Sequence, residues 1–200
     1  KTFEMKLNEH FYQRENVLSI ARDLLGKVLL TRINGQVTGG VIVETEAYSW
    51  RERGCHAYGS RKTARNEVMF REGGCAYVYL CYGIHYLFNV VTNVGDVPEA
   101  VLIRALEPVD GVELMRMRRQ PVRKDLHLTS GPGKLTRALG IERSFNGKSL
   151  LGDEIWIEDR GAKLSRSKIV ASERIGIDYA GDDARLPWRF TVRDNVWVSK

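Results

Sequence analysis

Two glutamates close together in the sequence are the residues best suited to chemistry. Glu44 and Glu46 are two positions apart in a run that begins at Val41 and reads as a β-strand. Residues two apart point to the same face of a strand, so these carboxylates would lie about 6.6 Å apart along it. Such a pair can activate water and stabilise a developing sugar cation, as glycosidic hydrolysis requires. The alternative is a polar, solvent-facing strand end.

Tyrosines form a second candidate group. Tyr77 and Tyr79 would share one face of a strand, whereas Tyr82 would lie at a turn, followed by Gly83. An aromatic side chain at a hairpin tip can act as a wedge that enters a base stack. Tyr48 and Tyr79 could supply flat walls around an unstacked base. Ordinary strand packing explains Tyr77 well but explains the tip position of Tyr82 poorly.

Other reactive motifs find little support. Residues 130–134 read Ser-Gly-Pro-Gly-Lys, which lacks the four-residue spacer of a nucleotide phosphate loop. This segment is either a helix start whose lysine contacts a DNA phosphate or a plain helix start. The three cysteines form no C-x-x-C pair and the four histidines are scattered, so we expect no metal and no cofactor. Cys55 and His56 are adjacent and would point apart on a strand, which argues against a cysteine nucleophile.

Charge indicates the class of partner. The net charge is +6, and two segments, residues 51–72 and 104–124, each carry six basic residues against three acidic ones. Clustered cations favour a polyanion, because they release counterions from its phosphates. The alternative is a solvated, arginine-rich surface.

Length and composition indicate one globular unit. The chain has 200 residues, of which 43% are hydrophobic, so we expect a single domain over residues 1–200 with a proper core. No run of about 18 apolar residues is present, and residues 1–6 lack the apolar core of a secretory signal. We therefore expect an intracellular protein that does not associate with membranes.

Hydrophobic periodicity and turn residues predict the elements that position these side chains. Helices are predicted over residues 16–25, 110–119 and 133–139, a hairpin around Asn34-Gly35 with arms at 27–33 and from 41, and strands at 76–81, 84–91, 100–106, 154–157 and 189–192. Residues 49–75 form a long basic connection, which indicates a functional segment. The irregular order predicts a single compact α+β domain with a mostly antiparallel sheet and surrounding helices.

An ordered set of motifs then points to a known family. The segments are Val43-Glu44-Thr45-Glu46-Ala47-Tyr48, Arg65-Asn66, Met69-Phe70, Tyr77-Val78-Tyr79-Leu80-Cys81-Tyr82-Gly83, Asn89-Val90, Ile103-Arg104-Ala105-Leu106-Glu107-Pro108, Ser130-Gly131-Pro132, Arg174-Ile175-Gly176-Ile177 and Pro187-Trp188-Arg189-Phe190. In this order they cover nearly the whole chain. The sequence resembles the alkyladenine (3-methyladenine) DNA glycosylase family.

The resemblance implies a metal-free monomer with a curved sheet that acts on double-stranded DNA containing damaged purines. Such an enzyme flips an alkylated or deaminated purine from the duplex, the candidates being 3-methyladenine, 7-methylguanine, hypoxanthine and ethenoadenine. It then hydrolyses the N-glycosidic bond and so initiates base excision repair. The expected location is intracellular and DNA-associated, in a bacterial cytoplasm or nucleoid rather than a eukaryotic nucleus.

The resemblance also implies roles for individual residues. Glu46 matches the general base and Arg104 the residue that helps to hold the attacking water. Asn89 matches the residue that disfavours the 2-amino group of guanine, and Tyr82 the side chain that fills the vacated stack. The remaining matches are the other base-pocket residues, Ala47, Tyr48, His56 and Tyr79, and the DNA-contacting residues Arg61, Thr63, Arg65 and Met69.

One departure and two alternatives accompany this interpretation. The segment between Tyr48 and His56 is about one residue shorter than the family pattern, which bears on where His56 lies. A non-catalytic binder of distorted DNA or structured RNA would use the basic segments and Tyr82 but would leave Glu46 without a role. A hydrolase of free nucleosides or small glycosides would use the carboxylates but not the wedge.

Overall fold

One large antiparallel sheet organises the chain. The computed structural model describes residues 5–200, and within them nine strands join in one sheet of order β1-β7-β2-β3-β6-β5-β4, with β9 paired to β3 and β8. The strands are β1 Met5–Lys6, β2 Val28–Ile33, β3 Gln36–Ser49, β4 Ala76–Cys81, β5 His85–Thr92, β6 Glu99–Asp110, β7 Ile155–Asp159, β8 Ile169–Ser172 and β9 Arg189–Val192. The expected single α+β domain with an antiparallel sheet is confirmed.

The predicted hairpin around Asn34-Gly35 is present and starts the central strand. Both turn residues have positive φ angles, 52° and 76°, which suit the tight two-residue turn between β2 and β3. β3 pairs with β6 along most of its length, and near its C-terminal half it also pairs with β9. Its register with β6 shifts on both sides of Glu44. Such irregularities bend a strand and redirect its side chains, here at the two glutamates.

The helices cover the sheet and close the main core. They are α1 Glu9–Tyr12, α2 Val17–Asp23, α3 Val112–Arg118 and α4 Pro132–Leu139. Fully buried side chains such as Ile20 of α2, Leu135 of α4 and Ile103 of β6 belong to one core cluster. Burial of each such side chain contributes about 1.5–3 kcal/mol. This packing fixes the N-terminal end of α4 beside the β4–β5 hairpin.

The basic connection over residues 49–75 is folded onto a second, smaller core. It contains two short 3₁₀ helices, Tyr58–Ser60 and Glu67–Phe70, and its Met69 packs with Tyr77. The Asn66 amide donates to the carbonyls of His56 and Arg61, at 3.0 and 2.9 Å. This side chain therefore ties the loop together and fixes the backbone at His56.

Most predicted elements are confirmed, with differences in their bounds and in the shortest elements. The strands at 76–81 and 189–192 have the predicted bounds, but β6 continues to Asp110, where a helix was predicted to begin. α1, β1 and β8 were not predicted, because segments of two to four residues carry too little periodicity to identify.

No helix among residues 5–200 is long and apolar enough to cross a membrane. The prediction that residues 1–6 form no secretory signal concerns a segment of which only residues 5 and 6 are described.

Candidate active site

A cavity of about 790 Å³ lies where β3, β4, β5 and β6 meet the start of α4 and the loop that follows β8. The predicted residues that line it are Tyr48, His56, Arg65, Met69, Tyr79, Tyr82, Asn89 and Arg104. These eight residues come from β3, the 49–75 loop, β4, the tip of the β4–β5 hairpin, β5 and β6, and all of them line the same cavity. No aspartate or glutamate of the described chain lines this cavity.

Glu46 lies directly behind the cavity wall. Its side chain has 0% exposure, so a polar, solvent-facing strand end is excluded. Its Oε1 accepts a 2.7 Å hydrogen bond from the amide of Ile175, and its Oε2 accepts one of 2.7 Å from the Tyr48 hydroxyl. Arg104 Nη1 lies 3.5 Å from the same Oε1. These three partners all line the cavity, and a carboxylate with about four acceptor sites can still bind a water.

Tyr48 acts as a donor to Glu46 at every ordinary pH. Burial, followed by the neighbouring Glu46 carboxylate, raises the pKa of the Tyr48 hydroxyl well above its usual value. The phenol therefore keeps its proton and holds one carboxylate oxygen in a fixed orientation. The same ring lines the cavity, so Tyr48 connects the cavity wall with the carboxylate behind it.

Glu44 is surrounded by fixed donors. Its side chain is fully buried, and Oε1 accepts from Arg189 Nε at 2.7 Å and from Arg104 Nε at 3.1 Å. The Ser199 amide donates to Oε2 at 2.7 Å, and the Ser199 hydroxyl donates to Oε1 at 2.9 Å. Of these side chains, that of Arg104 also lies close to the Glu46 carboxylate, with Nη1 3.5 Å from Oε1. Glu44 therefore anchors Arg104, whereas Glu46 is placed next to the cavity.

His56 reaches the cavity despite the short segment that precedes it. Its Nδ1 lies 3.0 Å from the Tyr77 hydroxyl, and its ring packs edge-on against Tyr79 with centroids 4.6 Å apart. Burial first, and then the charge of Arg65, lowers the pKa of His56, so the neutral ring is favoured. Burial raises the pKa of Tyr77 to about 12, so this phenol can donate to Nδ1. In that arrangement His56 Nε2 carries the ring proton.

Asn89 and Arg65 complete the aromatic side of the cavity. The buried Asn89 amide donates to the Tyr77 carbonyl at 3.2 Å, which leaves its carbonyl oxygen for other partners. The Arg65 guanidinium lies 5.7 Å from the centre of the Tyr79 ring and donates to the Leu80 carbonyl at 3.3 Å. Polar groups therefore lie at defined points around otherwise flat aromatic surfaces.

Tyr82 projects from the tip of the β4–β5 hairpin. It is 88% exposed and has a φ of 50°, an unusual conformation for an aromatic residue. Gly83 follows with a φ of 67°, so the tip is a tight turn that holds the tyrosine outward. Tyr179, which is 68% exposed, lines the same cavity mouth, and its hydroxyl donates to the Gly54 carbonyl at 3.0 Å. Two aromatic rings thus border the opening.

Arg174 is the main functional-site residue for which sequence reasoning assigned no role. Its buried guanidinium donates to the Ala47 carbonyl at 3.0 Å and pairs with the buried Glu52 at 2.7 Å. It also lies 4.8 Å from the centre of the Tyr48 ring and 5.2 Å from that of Trp188. Arg174 directly precedes Ile175, so fixing Arg174 also fixes the Ile175 amide that donates to Glu46. Only the motif Arg-Ile-Gly-Ile gave a signal for it.

Other predicted residues lie outside the cavity wall. Ala47 is fully buried, its amide donates to the Trp188 carbonyl, and it does not line the cavity. Arg61 and Thr63 are exposed on the loop beside the cavity. No group of histidine, cysteine or acidic residues in the described chain could hold a metal ion. The structure therefore gathers the catalytic and base-pocket candidates, apart from Ala47, around one opening.

Comparison with known proteins gives concordant matches. The sequence model of the methylpurine-DNA glycosylase (MPG) family matches residues 10–196. A Natranaerobius thermophilus protein named "Putative 3-methyladenine DNA glycosylase" is 48% identical over 199 residues, which cover 98% of this chain and 99% of that protein. Proteins with the same name from Chlamydia abortus and Carboxydothermus hydrogenoformans are 50% and 47% identical, over 93% and 98% of this chain and 97% and 100% of their own.

Proposed function

The chain belongs to the methylpurine-DNA glycosylase family, and from this premise we propose that it removes alkylated or deaminated purines from duplex DNA by hydrolysis. The observation that carries the proposal is the Glu46 carboxylate, which Arg104, Tyr48 and Ile175 hold directly behind the cavity wall. The resulting abasic site is the starting point of base excision repair. The enzyme acts as a monomer on DNA in a bacterial cell.

Glu46 is the proposed general base. It accepts a proton from a water molecule, the water oxygen forms a bond to C1′, and the electron pair of the glycosidic bond leaves with the purine. Arg104 orients that water and, because it also contacts both glutamates, keeps the carboxylate in place. A purine that already carries a positive charge departs as a neutral base. Hypoxanthine needs a proton on leaving and therefore requires more from the site.

The aromatic side chains form the proposed pocket for the flipped base. Tyr48 and Tyr79 offer flat faces, which suit electron-poor purine rings. His56 and Asn89 both line this cavity and offer a ring nitrogen and an amide oxygen, respectively. These polar groups would distinguish one base from another by hydrogen bonds to the edge of the base. Tyr82, which is exposed at the hairpin tip, fills the space that the flipped base vacates.

Contact with DNA outside the pocket comes from the loop over residues 49–75. Arg61, Thr63 and Arg65 are exposed there, and Met69 lines the cavity beside them. Cations at the mouth of the cavity bind phosphates and so position the duplex. Unstacking a base costs a few kcal/mol, and a damaged or mispaired base is released more easily.

Product analysis tests this proposal. A duplex with one hypoxanthine, and a methylated duplex, are incubated with excess enzyme, and free base, abasic DNA and strand breaks are quantified separately. We expect free purine and an intact abasic strand, and far slower release from the corresponding free nucleosides. Nucleoside turnover comparable with duplex turnover would contradict a DNA substrate. Binding of damaged duplex without any base release would contradict the hydrolysis and favour a binding protein.

A further inference from the structure

The cations that line the cavity differ in whether a carboxylate offsets their charge. Arg104 Nε lies 3.1 Å from Glu44 Oε1, and its Nη1 lies 3.5 Å from Glu46 Oε1. Arg65 lines the same cavity, but its guanidinium donates to the Leu80 carbonyl at 3.3 Å and forms no ion pair with another residue among 5–200. Because a carbonyl carries no net charge, the positive charge of Arg65 is not neutralised.

This uncompensated charge lies against the aromatic side of the cavity. The Arg65 guanidinium is 5.7 Å from the centre of the Tyr79 ring, within the range of a cation–π contact. The His56 ring packs edge-on against Tyr79 with centroids 4.6 Å apart, and all three side chains line the cavity. Arg65 therefore already occupies part of the negative potential with which the Tyr79 ring would attract a cationic base.

His56 and Tyr77 show that the charge of Arg65 acts inside the cavity. Burial, and then Arg65, lowers the pKa of His56, because both disfavour the cationic form of its ring. Burial raises the pKa of the Tyr77 hydroxyl to about 12, and Arg65 opposes that rise because it favours the anionic phenolate. A purine ring beside these side chains meets the same field, which disfavours a cationic purine and leaves a neutral one nearly unaffected.

We propose that Arg65 is a specificity-determining residue, whose unpaired guanidinium beside Tyr79 favours neutral damaged purines, such as hypoxanthine, over purines that carry a positive charge, such as 7-methylguanine. The inference rests on the proposed function and ranks two of its substrate classes. A cationic purine is the better leaving group, so Arg65 narrows the difference in rate between the classes rather than reversing it. A contact of Arg65 with a DNA phosphate would instead affect both classes alike.

The test compares two lesions in the same duplex sequence. Single-turnover base release at saturating enzyme is measured from a duplex with one hypoxanthine and from the same duplex with one 7-methylguanine. We expect the rate for 7-methylguanine relative to that for hypoxanthine to rise about threefold in Arg65→Gln, as for removal of one charge about 6 Å from another in water. Arg65→Lys keeps the charge and should retain most of the wild-type ratio. The same ratio in the wild type and Arg65→Gln, whether or not both rates fall, would overturn the proposal.

Arg51→Gln is the matched control, because Arg51 is an exposed arginine of the same 49–75 loop that does not line the cavity. Its ratio should equal that of the wild type, and a rise as large as in Arg65→Gln would overturn a specific role for Arg65. Arg65 is exposed, so the melting temperature of Arg65→Gln should stay near that of the wild type. Absence of base release by the wild type from both duplexes would overturn the proposed function and this inference with it, whereas release with an unchanged ratio overturns this inference alone.

Discussion

The carboxylate of Glu44 accepts hydrogen bonds from Arg189 and Ser199, whereas that of Glu46 accepts them from Tyr48 and Ile175. Spacing alone predicts that two such glutamates act together, and in the structure both do contact Arg104. Spacing could not assign their roles, because the partners that distinguish them lie up to 155 residues away in the chain.

Arg174 is expected to be a major contributor to stability. Arg174→Met leaves the buried Glu52 carboxylate without its cation, and removal of one partner of a buried pair costs about 3–5 kcal/mol. Urea unfolding of Arg174→Met, with Glu52→Gln and the double variant alongside, measures this cost. The double variant should recover part of the loss, because it no longer buries an unpaired charge. A stability of Arg174→Met equal to that of the wild type would contradict this assignment.

His56 is expected to make stability depend on pH. Burial and Arg65 lower its pKa below 6.5 in the folded state, so the unfolded chain binds a proton first as the pH falls. The contribution of His56 is therefore complete above pH 6.5 and is lost as the pH falls toward the lowered folded-state pKa. Urea midpoints from pH 7.5 to 5.0 should fall less for His56→Gln than for the wild type. Parallel curves would contradict the lowered pKa.

At the scale of elements, the β4–β5 hairpin carries Tyr82 at its tip. The segments 49–75 and 173–179 form the remaining walls of the cavity beside this hairpin. The strands and the hairpin follow from alternation and turn residues, as the bounds of β4 show. The two closing segments have no periodicity, and their shape depends on Asn66 and Arg174, whose hydrogen bonds reach distant backbone. The length and charge of the basic loop led to the prediction that it is functional, but they could not predict its fold.

Substitution of Tyr82 separates insertion from folding. Tyr82→Gly suits the positive φ of the tip and should leave the melting temperature unchanged or raise it. Base release from a lesion in a stable pair should fall about tenfold or more, because nothing occupies the vacated stack. The fall should be smaller for a lesion in a mismatch, and Tyr82→Phe should retain activity. Equal effects on paired and mispaired lesions would contradict a wedge role.

At the scale of the whole molecule, basic side chains line a cavity to which no aspartate or glutamate of residues 5–200 contributes, and Glu44 and Glu46 lie buried behind its wall. The net charge of +6 predicts a polyanionic partner but not the face that meets it. The fold concentrates the cations of both basic segments, Arg65 from one and Arg104 and Arg119 from the other, at one opening. Only the tertiary structure could show this arrangement.

The salt dependence of DNA binding tests that face. Each phosphate contact contributes about 0.9 to the slope of log Kd against log salt concentration. Arg61→Gln, on the exposed loop beside the cavity, should lower the slope by about that amount. Arg166→Gln, in a cleft beside α2, should leave it unchanged. Equal slopes for the wild type, Arg61→Gln and Arg166→Gln would indicate that DNA binds to a different face of the protein.

The most direct test of the central claim compares the two glutamates in single-turnover release of hypoxanthine from a duplex. Glu46→Gln should remain folded and bind the duplex with near-native affinity, yet release base at least about 100-fold more slowly, as expected for loss of a general base. Glu44→Gln should lose stability, because a neutral amide replaces a buried carboxylate between two arginines. Release by folded Glu46→Gln at the wild-type rate would contradict the account.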